Sequence, residues 1–406
     1  MAPTKKIRLA IVVSHPIQHF VHFYRALAAE PGIELKVFFC SKIGLKAYHD
    51  TEMNAVIKWS GDMVSGYDHE FLPEAESITK VSFKTINNPG INAALKGFAP
   101  DAVMLYGYSQ TTQLRALLWC RLNRVPALMT GDGNFVTKRS ALRAFLRNAA
   151  LKFILSLVSA FLTVGDQNEQ MLAAVGINRA KMFRVPFSID ETTYLDHFNR
   201  RAEERQRIRT LHNIADDAFV LLFVGKISAR KRAQDLVSAW QAIAEKSSER
   251  LNITLLFCGD GPELAELRQQ SGAAKANSIF AGFVNTDTLP AYYCAADVLV
   301  HPSEHDPHPL VCSEAACIGL PMILSDKVGA VGPTDIARDG ENSLVYPCTN
   351  IAELAKCINM LHDDKNKYAL MSSNSHRIFL QCDMKASVSG ILAALRQCVH
   401  VESPLP

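Results

Sequence analysis

Two acids, Asp306 and Glu314, stand in the run from Ser303 to Leu320, SEHDPHPLVCSEAACIGL. The run reads as a short loop carrying Asp306, then a helix carrying Glu314 one turn in. Leu320-Pro321 then ends the helix and opens a strand, Met322-Ile323-Leu324. An acid on a loop and an acid on the next helix aim two carboxylates into one crevice. The helix start adds free backbone N–H groups and a positive dipole end, which suits a phosphate. Carboxylates accept hydrogen bonds from sugar hydroxyls. The combination points to a sugar-nucleotide site.

Three further turns could complete such a site. Val224-Gly225-Lys226-Ile227-Ser228-Ala229-Arg230-Lys231-Arg232 places Lys226 and Lys231 on a strand-to-helix turn, where they would neutralise a diphosphate leaving group. Arg230 and Arg232 are expected to point to solvent, and the plainer reading of the whole run is a solvated basic turn. Gly259-Asp260-Gly261-Pro262 follows another strand and is expected to begin a helix at Pro262, its glycines permitting positive φ. It is not a G-x-G-x-x-G fingerprint, which leaves a nicotinamide dehydrogenase poorly supported. Gly282-Phe283-Val284 either sets backbone amides beside a base or packs as an ordinary loop. In the other half of the chain, His15 and Gln18 lie just after the first strand, and Asp132 and Asn134 stand in MTGDGNF after a later one. Asp132 is either a functional carboxylate facing the cleft or a turn residue between two glycines. His15, His19 and His22 repeat the spacing of His301, His305 and His308, but Pro302, Pro307 and Pro309 break the second set. No H-E-x-x-H or matched second ligand set is present, so no metal and no cofactor are expected.

These residues need a scaffold, and the chain alternates strand-like and helical patterns twice. Ile7–Val13, Ile33–Cys40, Ala102–Tyr106, Ala127–Thr130, Phe161–Val164 and Met182–Pro186 read as strands in the first half. Val220–Val224, Ile253–Cys258, Ser278–Ala281, Val298–His301, Met322–Leu324 and Leu344–Tyr346 repeat the rhythm. Helical patterns such as Phe20–Ala29, Thr111–Asn123 and Gln167–Val175 lie between strands. This predicts an α/β protein of two doubly wound Rossmann-like domains facing across a cleft, with ligands at the C-terminal ends of the strands. At 406 residues two domains are the default. The expected division is 1–200, then 201–375, then a helical segment 376–406 that crosses back or stays. The charged run Arg200–Arg209, with one Ile, places a linker around Phe187–Ile214.

Net charge is +3. Residues 1–200 hold 23 Lys+Arg against 16 Asp+Glu, and the remainder 20 against 24. A basic first half fits an anionic partner such as a membrane surface or lipid phosphate. Nucleic acid is disfavoured by the lack of a basic tail or an aromatic-interleaved patch. The ten cysteines show no framework spacing, which predicts a reducing, cytoplasmic compartment. Ile7–Val13 is too short for a signal peptide or a membrane span. Lys138–Leu157 is basic and amphipathic, with Arg139, Arg143, Arg147 and Lys152 among Leu142, Phe145, Leu146 and Phe153. It reads as a solvated face over a core helix or as a docking surface at the inner face of the membrane.

Taken in order, FVGKISARKR, FCGDGPELAELR, FAGFVNTDTLPAYYCAADVLVHPSEHDPHPLVCSEAACIGLP and RDGENSLVYP resemble glycosyltransferase family 4, sugar transferases of the GT-B fold. SHPIQHFVHFYRAL, VGDQNEQMLAAVGI and KMFRVPFSID match more loosely and look like a branch of surface-polysaccharide pathways. The resemblance implies a donor pocket of Gly225, Lys226, Lys231, Gly259, Phe283, Val284, Asp306, Leu310, Val311 and Glu314. Lys226 and Lys231 would hold the pyrophosphate, and Asp306 and Glu314 fall on the family's E-x7-E pair, one for donor sugar and one for ribose. Lys226 stands where the family has Arg, Asp306 where it has Glu, and His308-Pro309 where it has Phe-Gly. His15, Gln18, Asp132 and Asn134 would face the acceptor, and Asp306, Lys226, Lys231 and Asp132 would serve the reaction. The implied chemistry is retaining, with the leaving phosphate helping to deprotonate the acceptor and the protein supplying position and charge. The expected partners are a nucleotide-diphospho sugar and a glycan or lipid-linked saccharide. Rival readings are an epimerase on the same fold and a sugar-nucleotide-binding protein of weakened catalysis.

Overall fold

A computed structural model describes residues 6–45, 48–50, 55–57, 61–131, 151–246 and 252–399. The first sheet contains seven parallel strands in the order β5-β2-β1-β6-β7-β8-β9. They are β1 (Ile7–Val13), β2 (Ile33–Phe39), β5 (His69–Phe71), β6 (Ala102–Tyr106), β7 (Ala127–Thr130), β8 (Ala160–Thr163) and β9 (Met182–Arg184); β3 (Tyr48–Asp50) and β4 (Ala55–Ile57) form a separate antiparallel pair. The second sheet runs β12-β11-β10-β13-β14-β15, also parallel. Its strands are β10 (Phe219–Val224), β11 (Ile253–Cys258), β12 (Ser278–Gly282), β13 (Val298–His301), β14 (Met322–Ser325) and β15 (Ser343–Tyr346).

The sequences dictate this arrangement. β10 (FVLLFV) and β11 (ITLLFC) are apolar and buried at every position, as strands covered on both faces must be. Side chains alternate between two cores: Val220, Leu222 and Val224 enter one, and Phe219, Leu221 and Phe223 the other. β1 divides likewise, Leu9, Ile11 and Val13 on one face and Ala10 and Val12 on the other. In each sheet the order reverses beside its first strand, between β1 and β6 and between β10 and β13. Those reversals open crevices at the strands' C-terminal ends.

The segment expected as an irregular linker is ordered as two helices, Glu191–Asn199 and Arg201–Leu211. Its charge does not keep it in solvent. Arg209 is 1% exposed, and its guanidinium donates to the carbonyls of Ala295, Ala215, Asp216 and Ala218 and to Asp297 Oδ2 at 2.9–3.1 Å. A buried arginine is tolerable only when its donors are met in this way. Strand β5 was missed because HEF shows no apolar run and pairs only along the edge of β2.

After helix Lys365–Phe379 the chain turns at Leu380–Asp383, and helix Met384–Cys398 packs Val388, Ile391, Ala394 and Leu395 into the core of the first sheet. Ser387 Oγ donates to Pro186 O at 2.7 Å. The stretch Lys365–Cys398 has the mean hydropathy of a membrane span. The break leaves two helices of 15 residues, each about 22 Å long and short of a hydrocarbon core of about 30 Å.

Candidate functional site

Backbone hydrogen bonds build the floor of the second domain's crevice. Gly225 N donates to Cys258 O (3.0 Å), Ile227 N to Asp260 O (2.9 Å) and Gly259 N to Gly282 O (2.8 Å), lacing together the loops after β10, β11 and β12. This closeness explains the glycines. A Cβ on Gly259 would lie 1.9 Å from Gly225 O, and one on Gly261 would lie 2.3 Å from Ile227 O. The helix expected at Pro262 starts at Leu264. Lys226 is half-buried on this floor, Phe283 is exposed at its edge, and Val284, Leu310 and Val311 are half-buried. Arg230 does not point freely to solvent: its Nη1 donates to His305 O at 2.7 Å, tying the basic turn to the acid loop. Arg232 pairs with Asp235 at 2.8 Å.

Asp306 is the electrostatic centre. It is 8% exposed, accepts from Lys231 Nζ, and lies 2.8 Å from His301 Nε2. Burial alone would raise its carboxyl pKa, but the His301 hydrogen bond and the Lys231 charge outweigh burial and hold it well below the ordinary carboxylate range. His301, fully buried at the end of β13, is driven toward its neutral form by burial, against the pull of Asp306. Its Nε2 therefore carries the proton it donates. The loop rests on this histidine, whose role its position in the sequence did not disclose.

Glu314 lies on helix Leu310–Cys317 and is half-buried. Tyr293 Oη donates to its Oε2 at 2.6 Å. Burial raises the Glu314 pKa, and the tyrosine bonds only partly offset this. Two acids of one motif thus have opposite electrostatics, one ion-paired and one fixed by neutral donors.

Across the cleft, Gln18 Nε2 donates to Thr286 Oγ1 in the loop after β12 at 2.6 Å, so an expected acceptor-side residue touches the opposite domain. His15 Nδ1 lies 2.8 Å from Ser14 Oγ. Burial lowers the pKa values of His15 and His19 to about 4 each, leaving both imidazoles neutral at physiological pH. Beside His19 a shallow hollow is lined by Phe20, Tyr106, Thr130 and Phe187, among others. Asp132, Asn134 and residues 138–150 lie outside the described residues. Among the described residues no group of three His, Cys, Asp or Glu side chains is disposed to hold a metal ion.

Residues 204–377 match the model of the family described as glycosyl transferases group 1. The second domain belongs to this family. An uncharacterized glycosyltransferase of Methanocaldococcus jannaschii is 34% identical to this chain over 149 residues, 36% of each. A 2-deoxystreptamine glucosyltransferase of Streptomyces kanamyceticus is 28% identical over 229 residues, covering 54% of this chain and 55% of that one. The chain thus spans about half or less of the length of these curated relatives. In three dimensions the likeness extends over nearly the whole chain. The Anabaena protein HepE, solved with UDP, superposes with a TM-score of 0.71 at 16% identity over 96% of this chain and 99% of its own. Its UDP-glucose complex gives 0.67. At that identity the likeness establishes the fold, which is GT-B. The group 1 domain contains the two acids and the basic turn, and its bounds take in the helix Arg201–Leu211 from its fourth residue.

Proposed function

We propose that the protein is a glycosyltransferase that takes a sugar from a nucleotide-diphospho donor bound in the group 1 domain. The observation that carries the reading is the Lys231–Asp306 ion pair, which joins the loops after β10 and β13, with Glu314 on the helix that follows the second loop. On this reading Lys231 serves the diphosphate, Asp306 accepts from sugar hydroxyls, and Glu314 accepts from the ribose. The family match and the UDP-bound fold neighbour support the same reading. Lys226 joins Lys231 at the diphosphate. Its point charge replaces the fork of an arginine, favouring charge neutralisation over bidentate geometry. His15 and Gln18 border the acceptor side, with Asp132 and Asn134 following β7. Position and charge stabilisation supply the rate, the departing phosphate takes the acceptor proton, and the anomeric configuration is retained. No metal is needed, because lysines neutralise the leaving group.

The acceptor is a glycan or lipid-linked saccharide presented at the cytoplasmic face of a membrane. One surface favours the lipid-linked form. Leu118, Leu122 and Phe153 are 54%, 74% and 66% exposed, and Arg121, Arg124 and Lys152 are exposed beside them in sequence. Helix Thr111–Asn123 and residues 151–156 share one core under the sheet, so these side chains crown a single layer. Between Glu76 and Asp166 the chain carries eleven Lys+Arg and two acids. Apolar side chains inside a basic field suit an anionic bilayer.

Thermal-shift measurements against UDP-, GDP-, ADP- and dTDP-sugars test the donor site, with Glu314→Gln as the control. Stabilisation by one nucleotide class that the substitution weakens is the expected result. No stabilisation by any class would overturn the donor reading. Product analysis without acceptor separates transfer from epimerisation.

A further inference from the structure

We propose that Asp335 is a positioning residue that locks the two domains together and, through His308, sets the loop carrying Asp306. The inference rests on the donor reading for what that loop does, but not for the lock itself. The helix Asp166–Ala174 of the first domain begins after Gly165, which offers no side chain to its free N–H groups. The cap comes from the other domain: Asp166 N donates to Asp335 Oδ2 at 2.8 Å. The other oxygen, Oδ1, accepts from Ile336 N at 2.8 Å and lies 3.0 Å from His308 Nε2. One carboxylate therefore touches a first-domain helix and the residue two places after Asp306.

A reciprocal exchange reinforces the contact. The Asp166 carboxylate accepts from Thr334 N at 2.8 Å and Thr334 Oγ1 at 2.5 Å, and Arg184 Nη2 braces it from its own domain at 2.6 Å. Gln167 Nε2 reaches Val328 O at 3.3 Å, in the segment that forms a β-bridge with Asp306. The fit admits nothing larger. A Cβ on Gly165 would stand 2.1 Å from Asp335 Oδ2 and 3.0 Å from the His308 ring, and one on Gly332 would stand 2.2 Å from Asp166 Oδ2. Gly165 has extended backbone, so close approach and not φ excludes a side chain. The His308 imidazole is 5% exposed and meets the Phe187 ring edge-on at 5.7 Å, a second first-domain contact. Opening the cleft breaks the Asp166–Asp335, Asp166–Thr334 and Gln167–Val328 bonds together, and His308 then keeps Asp335 but loses the Phe187 ring, while Asp335 loses the helix N–H that fixes its other oxygen.

The full chain is compared as wild type, Gly165→Ala, His308→Phe and the double variant. The readouts are radius of gyration by small-angle X-ray scattering without ligand and affinity for UDP by calorimetry. Gly165→Ala, in the domain opposite the donor site, is expected to enlarge the radius of gyration and weaken UDP five- to tenfold. His308→Phe keeps a ring against Phe187, and it is expected to weaken UDP comparably at unchanged radius. The double variant should bind no more weakly than Gly165→Ala alone. Arg184→Lys, a milder loss on the same side, should move both readouts in the Gly165→Ala direction, and it carries the test if Gly165→Ala does not fold. Unchanged UDP affinity in an opened variant, or additive effects in the double, overturns the coupling. If wild type binds no nucleotide, the donor reading and the coupling fall together. An unchanged radius in both first-domain variants overturns the lock itself.

Discussion

The two crevices of this molecule are built on the same sheet reversal and furnished oppositely. The second domain's is rigid and charged: three loops laced backbone to backbone, a lysine on a buried aspartate, and a glutamate held by a tyrosine. Among the described residues the first domain's is neutral and aromatic, with His15 and His19 stripped of charge by burial and His19 set beside Phe20 and Phe187. A dianionic leaving group needs fixed charge that does not reorganise, whereas a neutral hydroxyl acceptor needs shape and neutral hydrogen-bonding groups. On the proposed reading, the contrast teaches that one fold can divide a transfer reaction between its halves by furnishing alone.

The largest effect should come from removing the fixed charge. Lys231→Ala takes away the cation proposed for the diphosphate and leaves the Asp306 carboxylate without its ion pair, held by His301. Loss of one preorganised group at developing charge costs about 10²–10³ in turnover. Initial rates with the donor that stabilises wild type measure this, and Lys231→Arg should recover part of the loss. If Lys231→Ala turned over within threefold of wild type, the charged crevice would not be the donor side.

The second test takes the first domain's outer surface. Arg121→Gln with Lys152→Gln removes two cations from the basic field. At about 1 kcal/mol each near an anionic surface, binding should fall about thirtyfold. Co-sedimentation with phosphatidylglycerol-containing vesicles reads the change, with pure phosphatidylcholine as the blank. Equal binding to both lipids by wild type would remove charge from the explanation.

A smaller effect separates Glu314 from its support. Glu314→Ala strands the buried Tyr293 hydroxyl and should lower stability by about 1–3 kcal/mol in chemical unfolding. Glu314→Gln still accepts that hydrogen bond and should unfold close to wild type. Both should weaken UDP about tenfold if the acid meets ribose, because a charge-assisted bond is lost. Weakening in the alanine variant alone would make Glu314 a structural residue.

What the sequence disclosed follows from which forces are local. Strands buried on both faces announce themselves as apolar runs, so ITLLFC was legible to the residue and FVLLFV to within one residue at its start. The acid loop and the turn after β10 were legible as an order of motifs. Edge strand β5 was not, because its residues lack an apolar run. The helices at 191–211 were hidden because the partners of Arg209, Asp297 and the Ala295 carbonyl, lie 86–88 residues downstream. His301, Thr286 and Asp335 escaped for the same reason: each acts through a partner that only the fold supplies. The spacing of His301, His305 and His308 drew attention only as a metal pattern, which gave no sign of the His301–Asp306 bond.

The smallest effect is a pH dependence that sharpens the contrast at the domain junction. His15 and His19 titrate near 4 in the folded chain against about 6.5 unfolded. The unfolded chain binds more protons in that window, so their contribution is present above pH 6.5 and is lost as pH falls toward 4. Glu191 behaves oppositely. It starts the first junction helix and accepts from Met384 N, where the chain crosses back, at 2.5 Å. Burial outweighs that bond and raises its pKa to about 7. The folded chain therefore binds the extra proton between about 4.5 and 7, and stability is lost as pH rises through that range. Glu191→Gln keeps the acceptor for Met384 N and cannot ionise. It should raise stability at pH 8 by about 1 kcal/mol, after allowance for solvent screening, and change little at pH 4.5. Chemical unfolding of both proteins across this range checks the sign. A variant less stable than wild type at pH 8 would mean that the ionised carboxylate holds the junction, and that the first domain's edge is not the neutral counterpart described above.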